Sequence, residues 1–205
     1  MEEKDLQKFR FDFLTKAIED TQHTVRFSDG KAGAVITFWG IVLTGILRTT
    51  DNWVAWLASI NGTVDRIFVF GSILLMLLFF VNSIWIALKV IVPKINPAAH
   101  VDTSDLDLKG LFYLHQMSQQ ITGKYLFGDK KDIKLGISTG DFMNHFSNIE
   151  INDILRELVF ELQKVSFIRN IKVARANNAI ALVGYFCLTF GVLLIYGCIS
   201  PIFHK

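Results

Sequence analysis

Cysteine and proline are scarce in this chain, and its net charge is low. Two cysteines and three prolines occur in 205 residues, and the formal net charge is only +2. Both cysteines, Cys187 and Cys198, lie in an apolar segment near the end of the sequence. We therefore expect them to be small apolar packing residues rather than a disulfide or a metal site. The weak net charge gives no reason to expect a nucleic-acid partner.

Catalytic and cofactor-binding motifs are also absent. The five histidines are scattered, with no HExxH or other metal-ligand spacing, and the sequence has no GxSxG, no P-loop and no GxGxxG. We expect a protein that is not an enzyme and that holds no metal or cofactor. The alternative that stays open is a membrane-embedded lipid hydrolase that uses His115 or His145.

Long uncharged runs are what the sequence does have. Hydrophobic residues make up 51% of the chain and charged residues 20%, and the apolar ones are concentrated in segments. Residues 67–88 and 176–204 carry no charge, and each run is long enough to cross a bilayer. The run 32–47 covers only about 24 Å as a helix, which fits a core helix or a short span. The two longer runs favour a span, with Lys31 and Arg48 at its ends.

The distribution of basic residues predicts how three such spans are oriented. Six Lys or Arg precede residue 32, twelve lie between residues 88 and 176, and three lie in the first connection and at the C-terminus. By the positive-inside rule, the N-terminus and the long middle segment are cytosolic and the C-terminus is outside. The first 31 residues are charged throughout, so no signal peptide is expected.

Helical periodicity extends beyond the spans. Residues 3–28 form an amphipathic helix, which either packs against another cytosolic helix or lies on the inner leaflet. Its apolar stripe consists of Leu6, Phe9, Phe13, Ala17, Ile18, Thr21 and Val25.

A second periodic segment precedes the last span. Residues 138–148 predict a short capped helix, and residues 147–150, SNIE, have capping-box spacing before a longer one. The longer helix continues into the third span with no breaker, over some 45–50 residues. Its apolar face is made of Ile151, Leu155, Leu158, Leu162 and Val165.

These patterns predict an all-α membrane protein. Three transmembrane helices are joined to a mostly helical cytosolic module, which the N-terminal helix, the middle insert and the extended base of the third helix form together. The expected divisions are a cytosolic amphipathic helix at 1–31 and two transmembrane helices with a short outer connection at 32–92. These are followed by a cytosolic insert and helix at 93–175. The last division is a third transmembrane helix with an outer C-terminus at 176–205.

Charged residues at the inner ends of the spans are the candidate functional residues. Asp29 stands beside the anionic leaflet, so it should pair with Lys31 or with a basic residue of the third helix, and we expect Asp29 and Lys31 to act as a helix latch. Arg169, Lys172 and Arg175 recur every three residues on that helix. Together with Lys31 they are the candidate ligand-binding residues, since such groups bind phosphate. The simpler alternative is anchoring to lipid headgroups.

Polar and aromatic residues near the spans have structural readings. Trp53 and Trp56 suit an interfacial aromatic belt. Asn82 and Ser83, inside the second span, favour contacts between helices over the lining of a water path.

The ordered set of motifs resembles the Pycsar effector family, small membrane effectors of bacterial antiphage defence. The motifs are D-x-K-A at 29–32, a proline after the second span at Pro93, F-Y-L-H at 112–115, D-F-M at 141–143, and E-L-x-x-x-S-x-I-R-x-x-K at 161–172. The resemblance covers most of the chain.

The resemblance implies a function that residue patterns alone do not. In that family a partner cyclase makes cCMP or cUMP after infection, and the membrane protein senses the nucleotide and damages the inner membrane. It implies cCMP or cUMP as the activating ligand and a location in the bacterial inner membrane. Because three helices cannot enclose a pore, we also expect a homo-oligomer. A membrane scaffold without a ligand is the alternative.

Overall fold

The computed structural model describes residues 3–60, 62–92, 97–102 and 138–203, and this part of the chain is helical throughout apart from short turns. Five α-helices are present there: α1 (Glu3–Arg48), α2 (Thr50–Ala58), α3 (Thr63–Ile91), α4 (Thr139–Ser147) and α5 (Ile151–Phe203). A short 3-10 helix covers Pro97–His100. The motif at 112–115, with His115, and Pro93 after the second span lie outside the described residues.

Three of these helices are long and apolar enough to cross a membrane, namely α1, α3 and α5. The prediction of an all-α protein with three spans is therefore confirmed. The amphipathic N-terminal segment and the first span form one helix of 46 residues. The helix that enters the third span has 53 residues, close to the predicted length, because no proline interrupts it before Pro201.

The chain divides into two units. The first contains Met1–Gln22 and Asn96–Phe167, and the second contains His23–Ile95 and Ile168–Lys205. Helices α1 and α5 each contribute residues to both units. The second unit holds the apolar parts of the three long helices, and we call it the three-helix unit.

In the first unit, α1 lies beside α5. Phe9, Phe13 and Leu14 line an apolar groove with Leu155 and Val159, so α1 lies against another helix as the packing alternative predicts, while contact with the inner leaflet stays a prediction. The predicted stripe is wrong at two positions, because Phe9 and Phe13 are 63% and 61% exposed. The packed line instead follows Leu14, Ile18 and Thr21, at a spacing of four and three.

The two predicted helix starts have different outcomes. The hydroxyl of Ser138 accepts a hydrogen bond from the backbone N–H of Asp141 at 3.1 Å, so the capped helix at 138–148 is confirmed as α4. The capping box at 147–150 is wrong. The Ser147 hydroxyl donates back to the Met143 carbonyl at 2.8 Å, because Ser147 is still the last residue of α4 and is not free to cap α5.

In the three-helix unit, α1 packs through Ser28, Ala32, Val35 and Trp39, all of them buried. Small residues occupy the facing positions of the other two helices, including Ala87, Ala176 and Ala179. Small side chains let helix backbones approach closely in a membrane, where no hydrophobic force acts between helices. The packing of this unit therefore depends on close contact and on a few polar bonds.

The connection between the first two spans is itself helical. Trp53 and Trp56 of α2 contact each other, with ring centroids 5.8 Å apart. Trp56 also packs on Gly197 of α5, where an added Cβ would come within 3.3 Å of the indole. Close by, the hydroxyl of Tyr196 donates to the carboxylate of Asp65, which joins α5 to the start of α3. The two indoles thus serve intramolecular packing at this end of the unit.

Candidate functional site: the charged end of the three-helix unit

Charged side chains collect at one end of the three-helix unit, where the apolar runs begin or end. Each long helix contributes to this charged end. Its members are Asp29 and Lys31 of α1, Lys89 of α3, and Lys172 and Arg175 of α5. The end opposite carries the contact of Tyr196 with Asp65.

An ion pair joins α1 to α5 at the charged end. The Lys172 ammonium donates to Oδ1 of Asp29 at 2.6 Å, and the two side chains are 14% and 38% exposed. The pair lies one helical turn before Ala32 and Ala176, which are fully packed in the core. That close approach of the backbones brings a short acid and a long ammonium into contact. Of the two partners expected for Asp29, the one that it contacts is the basic residue of the third helix, Lys172.

Lys31 does not pair with Asp29. Two positions along a helix rotate a side chain by about 200°, so Asp29 and Lys31 point in different directions. The Lys31 ammonium instead lies 3.4 Å from Oδ1 of Asn177 and 5.0 Å from the ring centroid of Phe27. Both predicted latch residues contact α5, but through different partners. Whether they act as a latch stays a prediction.

Arg175 joins α5 to the end of α3. Its guanidinium Nη1 donates to the backbone carbonyl of Lys89 at 2.9 Å. Lys89 lies in the last turn of α3, where backbone carbonyls lack an intrahelical donor and favour a cation. The Lys89 ammonium lies over the ring of Trp85, 4.8 Å from its centroid. The sequence analysis did not predict this contact. The available signal was that the second span ends just after Lys89, where carbonyls lack an intrahelical donor.

The three basic residues of α5 therefore have different surroundings. Each step of three residues rotates the side chain by about 60°, so the three turn through about 120° in all. Lys172 contacts α1 and Arg175 contacts α3, whereas Arg169 is exposed and none of the described residues pairs with it. Their role with Lys31 in binding a ligand stays a prediction, and Arg169 is the member that no described residue engages.

A hydrogen-bonded chain lies deeper in the three-helix unit and connects all three helices. The indole Nε1 of Trp39 donates to the hydroxyl of Ser83 at 3.0 Å, and Ser83 donates to the backbone carbonyl of Ala179 at 2.9 Å. Trp39 also meets Phe80 and Phe186 edge to face, with centroids 4.9 Å and 4.7 Å away. The prediction that Ser83 joins helices is confirmed, but nothing in the sequence indicates that Trp39 is its partner.

Other hydroxyl groups in the spans are satisfied within their own helices. Each donates to the backbone carbonyl four residues earlier, a bond that remains available in lipid. These residues are Thr37, Thr44, Ser72 and Thr189.

Residues that suggest chemistry are sparse in the described part of the chain. No group of three or more His, Cys, Asp or Glu is placed there to hold a metal ion. Cys187 and Cys198 are free thiols. Both are exposed on α5, so neither is a packing residue within this chain, contrary to that part of the expectation. Their side chains project from the outer side of an apolar helix.

These features define a class of protein, an all-α membrane protein whose spans are joined by polar contacts at both ends and in the middle. Comparison with protein families narrows that class, because the sequence model of the Pycsar effector protein domain matches residues 13–198. The chain therefore belongs to the Pycsar effector family and is a transmembrane protein of antiphage defence. No curated protein and no solved structure matches it.

Proposed function

We propose that this protein is activated by cCMP or cUMP from a partner cyclase and that it then impairs the bacterial inner membrane, which stops phage propagation. The nucleotide is a signal and not a substrate, so the protein is not an enzyme and needs no cofactor. The active form is a homo-oligomer. The N-terminus and the segment 93–175 face the cytosol, as the excess of basic residues on that side favours.

The ion pair between Asp29 and Lys172 is the observation that supports this proposal most. It joins the first and third spans at the charged end, where a partly buried ammonium holds a carboxylate. The phosphate of a cyclic nucleotide competes for such a cation, since it offers two acceptor oxygens in place of the carboxylate. Binding then shifts the packing of the two helices, provided that the ligand prefers the state in which the pair is open.

Arg169 is positioned to attract the phosphate before the pair opens. It lies three residues before Lys172 on α5, it is exposed, and no described residue engages it. We expect Arg169→Gln to raise the nucleotide concentration needed for half-maximal response by about ten-fold, the equivalent of one charge-assisted hydrogen bond. Protein level and membrane insertion should not change.

The measurement is a dose response of membrane potential in inside-out membrane vesicles or proteoliposomes supplied with cCMP or cUMP. Arg156→Gln is the matched control. Arg156 is also an exposed arginine of α5, with a side chain 51% accessible and only a long contact of 3.9 Å to Asp153. Equal shifts for both variants would show a general effect of charge, and no shift for Arg169→Gln would remove it from the ligand-binding set.

The proposed function as a whole is tested by membrane potential in bacteria that express the protein with and without a cyclase for each nucleotide. We expect depolarisation only when protein and nucleotide are both present. If the protein is shown to be inserted and neither nucleotide depolarises the cells, the proposal fails. Survival of the infected culture together with a released lipid product would instead favour the hydrolase.

A further inference from the structure

Asn82 is a polar side chain on the exposed face of the second span. It lies in the apolar run of α3, nineteen positions after Thr63 and nine before Ile91. Its amide nitrogen donates to the backbone carbonyl of Leu78 at 2.8 Å, and the side chain is exposed. The next residue, Ser83, is fully buried in the three-helix unit, so the two neighbours project to different sides of α3.

Asn82 belongs to a regular stripe along α3. The stripe residues are all exposed and alternate in spacing between four and three positions, and they are Gly71, Leu75, Leu78, Asn82, Trp85 and Lys89. We call this stripe the Asn82 seam. Residues spaced by about 3.5 positions lie along one side of a helix, so they can contact a second helix along its length. The seam lies on the other side of α3 from Ser83, Ala87 and Val90, which form the packed face.

The amide of Asn82 retains unused hydrogen-bonding capacity. The bond to Leu78 occupies one of its two N–H groups, and none of the described residues engages the carbonyl Oδ1 or the second N–H. Lipid tails offer neither donor nor acceptor, so an exposed amide at this position is unfavourable unless a protein partner reaches it. Serine and threonine in the spans avoid this cost by bonding within their own helices.

We propose that the Asn82 seam is the surface through which this protein binds a second copy of itself, with the two Asn82 amides paired across the interface. A primary amide carries both a donor and an acceptor, so it is complementary to another copy of itself. Two copies inserted with the same topology are parallel, which places both Asn82 side chains at the same depth. A two-fold axis along the membrane normal then brings each amide opposite the other.

The part of the seam before Asn82 fits a parallel pair of helices. Gly71 has no side chain, and a Cβ added there would meet no atom within 4 Å, so the backbones have room to approach. Leu75 and Leu78 supply apolar contacts between Gly71 and the amide. A single asparagine in an otherwise apolar seam fixes the register and the number of helices that associate. The proposal rests on the homo-oligomer of the proposed function and adds the face that forms it.

The test is disulfide cross-linking of single cysteines in membranes. Cys187→Ser and Cys198→Ser first remove the two native thiols. In that background, Leu78→Cys, which keeps the Asn82 amide, should give a cross-linked dimer under mild oxidation at least five-fold more abundant than Leu77→Cys does. Leu77 is a matched control, because the two leucines are similarly exposed, at 52% and 53%, but Leu77 lies off the seam. Equal yields at both sites, or no dimer from Leu78→Cys in protein shown to be inserted, would overturn the proposal.

A second pair of variants tests the amide itself. In the otherwise native chain, Asn82→Leu should weaken dimerisation about five-fold, as one interhelical hydrogen bond in a bilayer predicts, whereas Asn82→Gln should retain most of it. The readout is energy transfer between labelled copies at varied protein-to-lipid ratio, without nucleotide. Tighter association of Asn82→Leu, through lipid-like packing alone, would contradict the proposal.

The same membranes separate this proposal from the proposed function. A dimer that cross-links at Leu78→Cys, in cells that neither nucleotide depolarises, supports the interface and removes only the gating by nucleotide. Depolarisation by nucleotide with no cross-link at the seam removes only the interface.

Discussion

Replacing Trp39 with alanine should destabilise the three-helix unit more than any other single truncation. Trp39 is 1% exposed, contacts a phenylalanine on each neighbouring helix, and donates to Ser83. Its loss leaves a cavity where three helices meet, and the lost dispersion contacts count in lipid as well as in water. We expect the free energy of unfolding in mixed micelles to fall by about 3 kcal/mol.

Two further variants identify the source of that loss. Trp39→Phe keeps most of the volume but removes the donor, and we expect it to cost about half as much. Ser83→Ala removes the acceptor and leaves the indole N–H buried without a partner, at a cost of about 1–2 kcal/mol. In the double variant Trp39→Phe with Ser83→Ala, the effects should be less than additive, because both remove the same bond. Additive losses would show that the hydrogen bond contributes nothing.

Replacing Asp29 with alanine should abolish the dependence of depolarisation on nucleotide while the protein still inserts. The variant removes the carboxylate that holds Lys172 of α5, so an arriving phosphate has no pair to open. The measurement is membrane potential with and without the cyclase, with the protein quantified in the membrane fraction. An unchanged difference between the two conditions would remove the ion pair from the gating mechanism.

Exchanging the two charges provides the stringent control. The variant with Asp29→Lys and Lys172→Asp keeps an ion pair between α1 and α5 but reverses it, so helix association should recover while phosphate binding should not. Across the double-mutant cycle we expect a coupling energy of about 1 kcal/mol, since the carboxylate is 38% exposed. Glu19→Ala, which removes another exposed acid of α1, should behave as the unmodified protein does.

The contrast between α4 and α5 shows how far local sequence reasoning reaches. Ser138 caps α4 as its spacing to Asp141 predicts, because a cap needs only residues within one turn. Ser147 has the same kind of spacing before α5, yet it belongs to the end of α4. The local pattern allows Ser147 either to cap α5 or to end α4. The path of the chain between the two helices selects the second arrangement.

The N-terminal part of α1 shows a related limit. The periodicity places Phe9 and Phe13 on the apolar stripe, but Leu14, Ile18 and Thr21 form the packed line. A helix with many apolar residues supports more than one stripe, and the sequence does not say which one its partner helix covers. The exposed phenylalanines are the result of that choice.

The sequence by itself determined the three spans, the long helix into the third span, and the membership of the family. Hydropathy and the absence of breakers are properties of contiguous residues, so they are readable along the chain. The tertiary structure alone decided that Asp29 meets Lys172 rather than Lys31, that Trp39 meets Ser83, and that Asn82 faces outward. Each residue turns a helix by 100°, so these partners depend on how each helix is rotated about its axis, which packing between helices sets.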